Sequence, residues 1–197
     1  MADSLNQPDD VKSRLKFLGP NSDQWELQDV LDSANRKLPG FVGRDIEEKL
    51  RPTVEDQKEF RLTFNEVESI RQVEIRTHSY NQPEVVDSSN YTVTNSPAKI
   101  VFDQTWAEDN LFSNDYNLRV FYEPTLYKEL ELMLALEEIM NLSSVQTGDD
   151  ETKAMFENYQ DRRQELVRQI NRTAQNIDDK DAGDTLAANF NFPGDRI

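Results

Sequence analysis

The stretch "NYTVTNSPAKIVFDQTW", residues 90 to 106, decides how the chain is read. Tyr91 and Val93 alternate with threonines, Asn95-Ser96-Pro97 turns the chain, and Ile100 and Phe102 alternate again. That period of two is the spacing of a β-hairpin. Both flanks carry helical period, so the fold class turns on how much β-structure surrounds the hairpin.

Just upstream, Phe60, Leu62 and Phe64 alternate with Arg61 and Thr63, which predicts a strand. In "NEVESIRQVEIRTH", residues 65 to 78, the step from Ile70 to Val73 breaks the alternation before Val73 and Ile75 resume it. That slip predicts a bend or bulge between two strands. Residues 78 to 90 are a loop by composition. Downstream, "DQTWAEDNLFSND" reads as a polar loop carrying Trp106, Leu111 and Phe112, and "YNLRVFYEP" as a last strand with Leu118, Val120 and Tyr122 on one face.

The outer segments are helical. In "DDVKSRLKFL" Val11, Leu15 and Leu18 lie at helical spacing, and Gly19-Pro20 stops them. A second helix carries Trp25, Leu27, Val30, Leu31 and Ala34, with Asn21 or Ser22 as cap and Pro39-Gly40 as its end. "FVGRDIEEKL", residues 41 to 50, reads as a short further helix or turn. After Pro124, "TLYKELELMLALEEIMNL" is apolar over most of its circumference, the mark of a helix central to a core. Thr147-Gly148-Asp149-Asp150 breaks the chain, and a helix from about Glu151 to Ile177 follows. Its stripe of Met155, Phe156, Tyr159, Leu166, Val167, Ile170 and Ala174 is interrupted at Arg162 and Arg163. Residues 178 to 197 read as an extended tail in which Leu186, Phe190 and Phe192 are either anchors into a neighbouring chain or incidental aromatics on a frayed end.

The expected fold is therefore α+β: a mainly α-helical bundle core with a small antiparallel β insertion and an extended C-terminal tail. The expected divisions are N-terminal helices over 1–58, the β-rich insertion over 59–123, the core and C-terminal helices over 124–177, and the tail over 178–197.

Composition narrows function. The 197 residues allow one ordinary domain, or a domain with an insertion. Hydrophobic content of 36% supports only a modest core, yet 10 Phe, 6 Tyr and 2 Trp argue against wholesale disorder. A net charge of −16 repels phosphate backbones and anionic headgroups, which disfavours nucleic-acid binding through a basic face. The absence of cysteine removes disulfides and thiolate metal sites. No apolar run approaches the roughly 18 residues that span a bilayer, and the N-terminus does not read as a signal peptide.

Catalytic chemistry is thinly represented. His78 is the one histidine, in a polar loop beside Ser79 and Tyr80, with no sign of the orienting acid and shaped pocket that a nucleophilic triad needs. The 6 glycines form no phosphate-cradling loop. Carboxylate pairs at Asp9-Asp10, Glu47-Glu48, Glu137-Glu138, Asp149-Asp150 and Asp178-Asp179 point about 100° apart on a helix and do not converge on a metal; they read as solvated faces. No cofactor is expected. Arg162, Arg163 and Arg168 form a locally cationic stretch, read either as helix salt bridges or as a contact between subunits.

The order of elements is the informative object. A capped helix pair, then Val67, Ile70, Val73 and Ile75, then the hairpin of Tyr91, Val93, Ile100 and Phe102, then Leu118, Val120 and Tyr122, and finally the apolar helix "LYKELELMLALEEIM" succeed one another. This succession, over roughly residues 10 to 142, resembles the head–tail adaptor (connector or head-completion) proteins of tailed bacteriophages and tailed archaeal viruses. The hairpin turn departs from the family in having Asn-Ser-Pro where a glycine is usual. The resemblance implies a non-enzymatic virion protein located in the neck and assembled in the host cytoplasm. It implies a homo-oligomeric ring, commonly of twelve copies, beneath the portal protein and above a tail, stopper or tail-completion protein. It gives Leu186, Phe190 and Phe192 the role of portal anchors, and it lets genomic DNA pass the acidic channel without specific binding. The pI near 4.4 fits a virus of a salt-loving archaeon as well as a phage. A non-viral scaffolding module using the 151–177 helix as its docking face, and a small hydrolase using His78, are the competing readings.

Overall fold

The computed structural model describes residues 4–15, 26–43, 45–51, 57–76, 82–111, 117–147 and 150–189; for 117, 142–147, 151–152 and 178–189 it describes the backbone alone. Among these residues it has six α-helices and seven strands. The helices are α1 (Pro8–Leu15), α2 (Leu27–Lys37), α3 (Pro39–Val42), α4 (Gln104–Asn110), α5 (Thr125–Thr147) and α6 (Asp150–Asn189). The strands are β1 (Ile46–Leu50), β2 (Glu59–Arg61), β3 (Val67–Arg76), β4 (Glu84–Val85), β5 (Tyr91–Asn95), β6 (Ala98–Phe102) and β7 (Asn117–Pro124). One sheet has the order β1-β7-β3-β4 and the other β2-β6-β5. The chain divides into two compact units, the first of Met1–Asp45, Glu66–Ser69 and Glu123–Ile170, the second of Ile46–Asn65, Ile70–Tyr122 and Asn171–Ile197.

Two sheets and seven strands correct the expectation of a mainly helical bundle with a small insertion: the fold is mixed, with β-structure from residue 46 onward. The segment expected to be a helix or turn over 41–50 holds α3 and β1. Ile46 and Leu50, four residues apart, fit a helix as well as a strand. The third member of the strand's inner face is Glu48, a buried carboxylate that apolar periodicity does not register. The division into two strands expected near Ile70 is also absent. Strand β3 is continuous, with Val67, Val73 and Ile75 buried at odd positions and Ile70 on the opposite face. The loop expected over 103–115 contains α4, whose cap Asp103 accepts a bond from Trp106 N at 3.1 Å.

The expected extended tail is replaced through Asn189 by helix, since α6 runs on for 40 residues. Ala182, Ala187 and Ala188 favour helix, and Gly183 opposes it by only about 1 kcal/mol.

In the first unit, α1 buries Val11 and Leu15, and α2 buries Leu27, Leu31 and Ala34 at i, i+4 and i+7. Both pack on α5. Residues 130 to 136 of α5 are all buried, which confirms it as the hub of this unit. Gly43, at φ +78°, makes the turn that ends α3, a backbone region that side-chain-bearing residues rarely adopt.

In the second unit, β1 and β7 pair antiparallel with Ile46 opposite Tyr122, Glu48 opposite Val120 and Leu50 opposite Leu118. Glu48 Oε2 accepts from Thr63 N at 2.9 Å and from Tyr122 OH at 2.8 Å, and Oε1 from Thr63 Oγ1 at 2.7 Å. Three donors compensate its burial and tie the segment after β2 to this strand pair. The hairpin that opened the reading is present as β5 and β6, joined through a cis Ser96–Pro97 bond. Its inner face gathers Phe60, Ile100 and Phe102, with Phe60 edge-on to Phe102 at 6.0 Å and Trp106 stacked on Phe102 at 5.0 Å.

Replacing Glu48 with Ala leaves three donors without an acceptor and is expected to lower stability by about 3 kcal/mol. Glu48→Gln, which keeps one carbonyl acceptor, should lose less; urea midpoints of the three proteins compare them.

Candidate interaction surfaces

Helix α5 carries four glutamates, Glu129, Glu131, Glu137 and Glu138, and all four are drawn into side-chain contacts within the first unit. Glu131 has no exposed surface. Its Oε2 accepts from Asn6 N at 2.8 Å and Asn6 Nδ2 at 2.7 Å, and its Oε1 from Leu5 N at 3.1 Å and Asn35 Nδ2 at 2.8 Å. Asn6 Nδ2 also reaches Lys128 O at 2.7 Å. The chain before α1 is thereby held on α5 by main-chain as well as side-chain donors. Glu138 accepts from Lys37 Nζ at 2.6 Å and Ser33 Oγ at 3.1 Å. The acidic pairs read as solvated faces are therefore partly structural, Glu137 and Glu138 included.

Arg162 and Arg163 fill the gap in the apolar stripe of α6 by facing acids of α5. Arg162 donates to Glu129 Oε1 from Nη2 at 2.7 Å and Nε at 2.9 Å, and from Nη1 to Glu165 at 2.7 Å. The Glu129 bonds lead in raising its pKa further. Arg163 Nε donates to Glu137 Oε1 at 2.6 Å, with the two side chains only 18% and 14% exposed, and its guanidinium lies 5.3 Å from the centroid of the Phe41 ring. Arg168 is exposed and donates to Gln164 at 3.4 Å. Of the helix salt bridges expected of this stretch, Arg162–Glu165 is present, together with pairs between helices that spacing within α6 could not disclose. Of the tail residues, Leu186 lies on the helical backbone of α6, while Phe190, Phe192 and the loop residue His78 lie outside the described residues.

A second polar group surrounds Tyr127, which is almost fully buried and donates to Val42 O at 3.0 Å. Burial first, and then the charges of Asp45 and Glu123, push its phenol well above the ordinary range of tyrosine. Glu123 is itself buried and accepts from Ser69 Oγ at 2.9 Å. Among the described residues no group of three or more His, Cys, Asp and Glu is arranged to hold a metal, and no helix is long and apolar enough to cross a membrane.

In the second unit the exposed feature is β5. Its burial pattern is one half-buried residue followed by four exposed ones, against the alternating burial of β6. Tyr91 sits tilted against Phe102 at 6.0 Å, and Val93 is 36% exposed. Asp87 accepts from Ser89 N at 2.8 Å, which holds its carboxyl below the usual range. A small cleft beside this sheet is lined by Gln57, Lys58, Gln104, Ala107, Glu108 and Leu111, with Lys58 Nζ bonded to Gln104 at 2.7 Å.

No protein-family model and no curated protein matches the chain. Among solved structures it is similar to a chain in the neck of an empty GTA particle computed with C6 symmetry, at 11% identity and a TM-score of 0.29, covering 66% of this chain and 75% of that one. A superposition that loose carries no statement of fold or function.

Tyr127 gives a signed prediction. Its raised pKa means the neutral phenol stabilises the fold fully below about pH 10, and that contribution is lost as pH rises further. Tyr127→Phe should cost about 1 kcal/mol at neutral pH through the bond to Val42 O. Its disadvantage against the native chain should shrink above about pH 10, as read from denaturation curves taken across that range.

Proposed function

We propose that the chain is a structural subunit of a particle neck, one copy of a ring that joins the portal to the tail and continues the DNA channel. The observation that carries this reading is the succession of elements. A helical N-terminal segment precedes strands at Val67–Arg76, Tyr91–Asn95, Ala98–Phe102 and Asn117–Pro124, and α5 follows β7 with no intervening residue. That is the order on which the resemblance to head–tail adaptors rests. The net charge of −16 suits a conduit through which DNA must slide, because like charge keeps phosphates from adhering. In this reading the chain works by assembly: its side chains bind neighbours, and the ring, of about a dozen copies as the resemblance implies, is the functional object.

The test is electron microscopy of the purified chain mixed with the portal protein of its particle. Rings stacked on the portal are the expected result. Persistent monomers that ignore the portal would sink the reading.

A further inference from the structure

Strand β5 ends the second sheet, and among the described residues no strand pairs with its outer side. Neighbouring bonds fix which of its groups point outward. Phe102 N donates to Lys58 O at 2.9 Å and Ala98 N to Asn65 O at 2.7 Å, so these residues of β6 face β2. Asp103 N donates to Asn90 O at 2.8 Å. Alternation along an antiparallel pair then directs Lys99 and Val101 to Thr94 and Thr92. Tyr91, Val93 and Asn95 are left with N–H and C=O groups aimed away from the sheet.

This edge lacks the usual guards. The strand reads YTVTN, without the lysine, proline or inward charge that keeps edges from pairing. Tyr91 and Val93 share the face of Phe102 and Ile100, so the margin of an apolar face is open beside an open ladder. An extended segment laid along β5 would satisfy both. It must carry two apolar side chains separated by one residue.

We propose that the occupant is the segment Phe190–Phe192 of a second copy of this chain. In extended backbone Phe190 and Phe192 fall on one face about 7 Å apart, the spacing of Tyr91 and Val93, and Asn191 falls on the face of Thr92 and Thr94. The eight residues from 190 to 197 can span about 26 Å, more than the roughly 17 Å of a five-residue strand. Helix α6 supplies the reach. Its 40 residues extend about 60 Å, roughly twice the diameter of a small domain. Donor and acceptor are different surfaces, so each copy gives one strand and receives one. That is a head-to-tail contact, which closes as a ring when the rotation allows. The contact deepens the proposed ring by naming a junction between its copies, and it holds for any head-to-tail assembly, in a particle neck or elsewhere.

The chain contains no cysteine, so introduced thiols report alone. Full-length Asn191→Cys is mixed with full-length Thr92→Cys or Thr94→Cys under mild oxidation. A disulfide-linked heterodimer in excess of either homodimer is expected from at least one pairing. Adding Val93→Pro should reduce it tenfold or more, because that N–H points out of the sheet and its loss leaves the chain's own ladder intact. Circular dichroism confirms that the blocked protein is folded, and Val93→Lys serves in its place if it is not. The proposal is overturned if no heterodimer forms, if the linkage survives blocking of the edge, or if only a chain carrying both cysteines closes, within itself. Each of these readouts is independent of whether rings dock on a portal.

Discussion

The first unit depends on one carboxylate. Helix α5 is buried around nearly its whole circumference, and hydrophobic packing is non-directional, so apolar contacts alone specify its rotation weakly. Glu131 removes that freedom. Its desolvation is compensated only when Leu5, Asn6 and Asn35 present their N–H groups, and only one rotation of α5 meets all four donors. The peripheral pairs agree with it. Glu129 with Arg162, Glu137 with Arg163 and Glu138 with Lys37 each stabilise little on their own, but all require the same orientation of the helix.

Glu48 has the equivalent place in the second unit. It sits in the middle of the inner face of β1, where an apolar residue would be the simple choice, and its three donors come from the Thr63 segment and from β7. A one-residue slip of β1 would place Glu47 inside and leave Tyr122 and Thr63 without their acceptor. The carboxylate thus fixes the register, which apolar alternation fixes less sharply in so short a strand.

These two residues also explain what the sequence hid. The hairpin of Tyr91 to Phe102, the strand of Leu118 to Tyr122 and the hub helix were legible because their apolar positions repeat without interruption. Strand β1 was not, because one of its three inward residues is charged, and a buried acid looks like a surface acid until its donors are known. Ile70 misled in the opposite sense, an apolar residue on the outer face of β3 that suggested a break where the strand is continuous. The partners of Arg162 and Arg163 lie 33 and 26 residues earlier in the chain, beyond any helical spacing. The continuation of α6 past Ile177 was concealed by charge and a single glycine, features that suggest a tail but weigh little against the surrounding alanines.

The first unit also imposes an order of events during synthesis. Helices α1 and α2 are complete by residue 37, yet the helix they pack on begins at Thr125. At about 5 to 20 residues per second, the ribosome takes roughly 4 to 18 seconds to cover the intervening stretch. Throughout that time Leu27, Leu31 and Ala34 have no α5 to cover them, whereas the β5–β6 hairpin has both strands within a dozen residues and can pair at once. The inner stretch of the chain is thus placed to take shape before the segments that flank it, and the N-terminal helices are the part most in need of protection while the chain is being made.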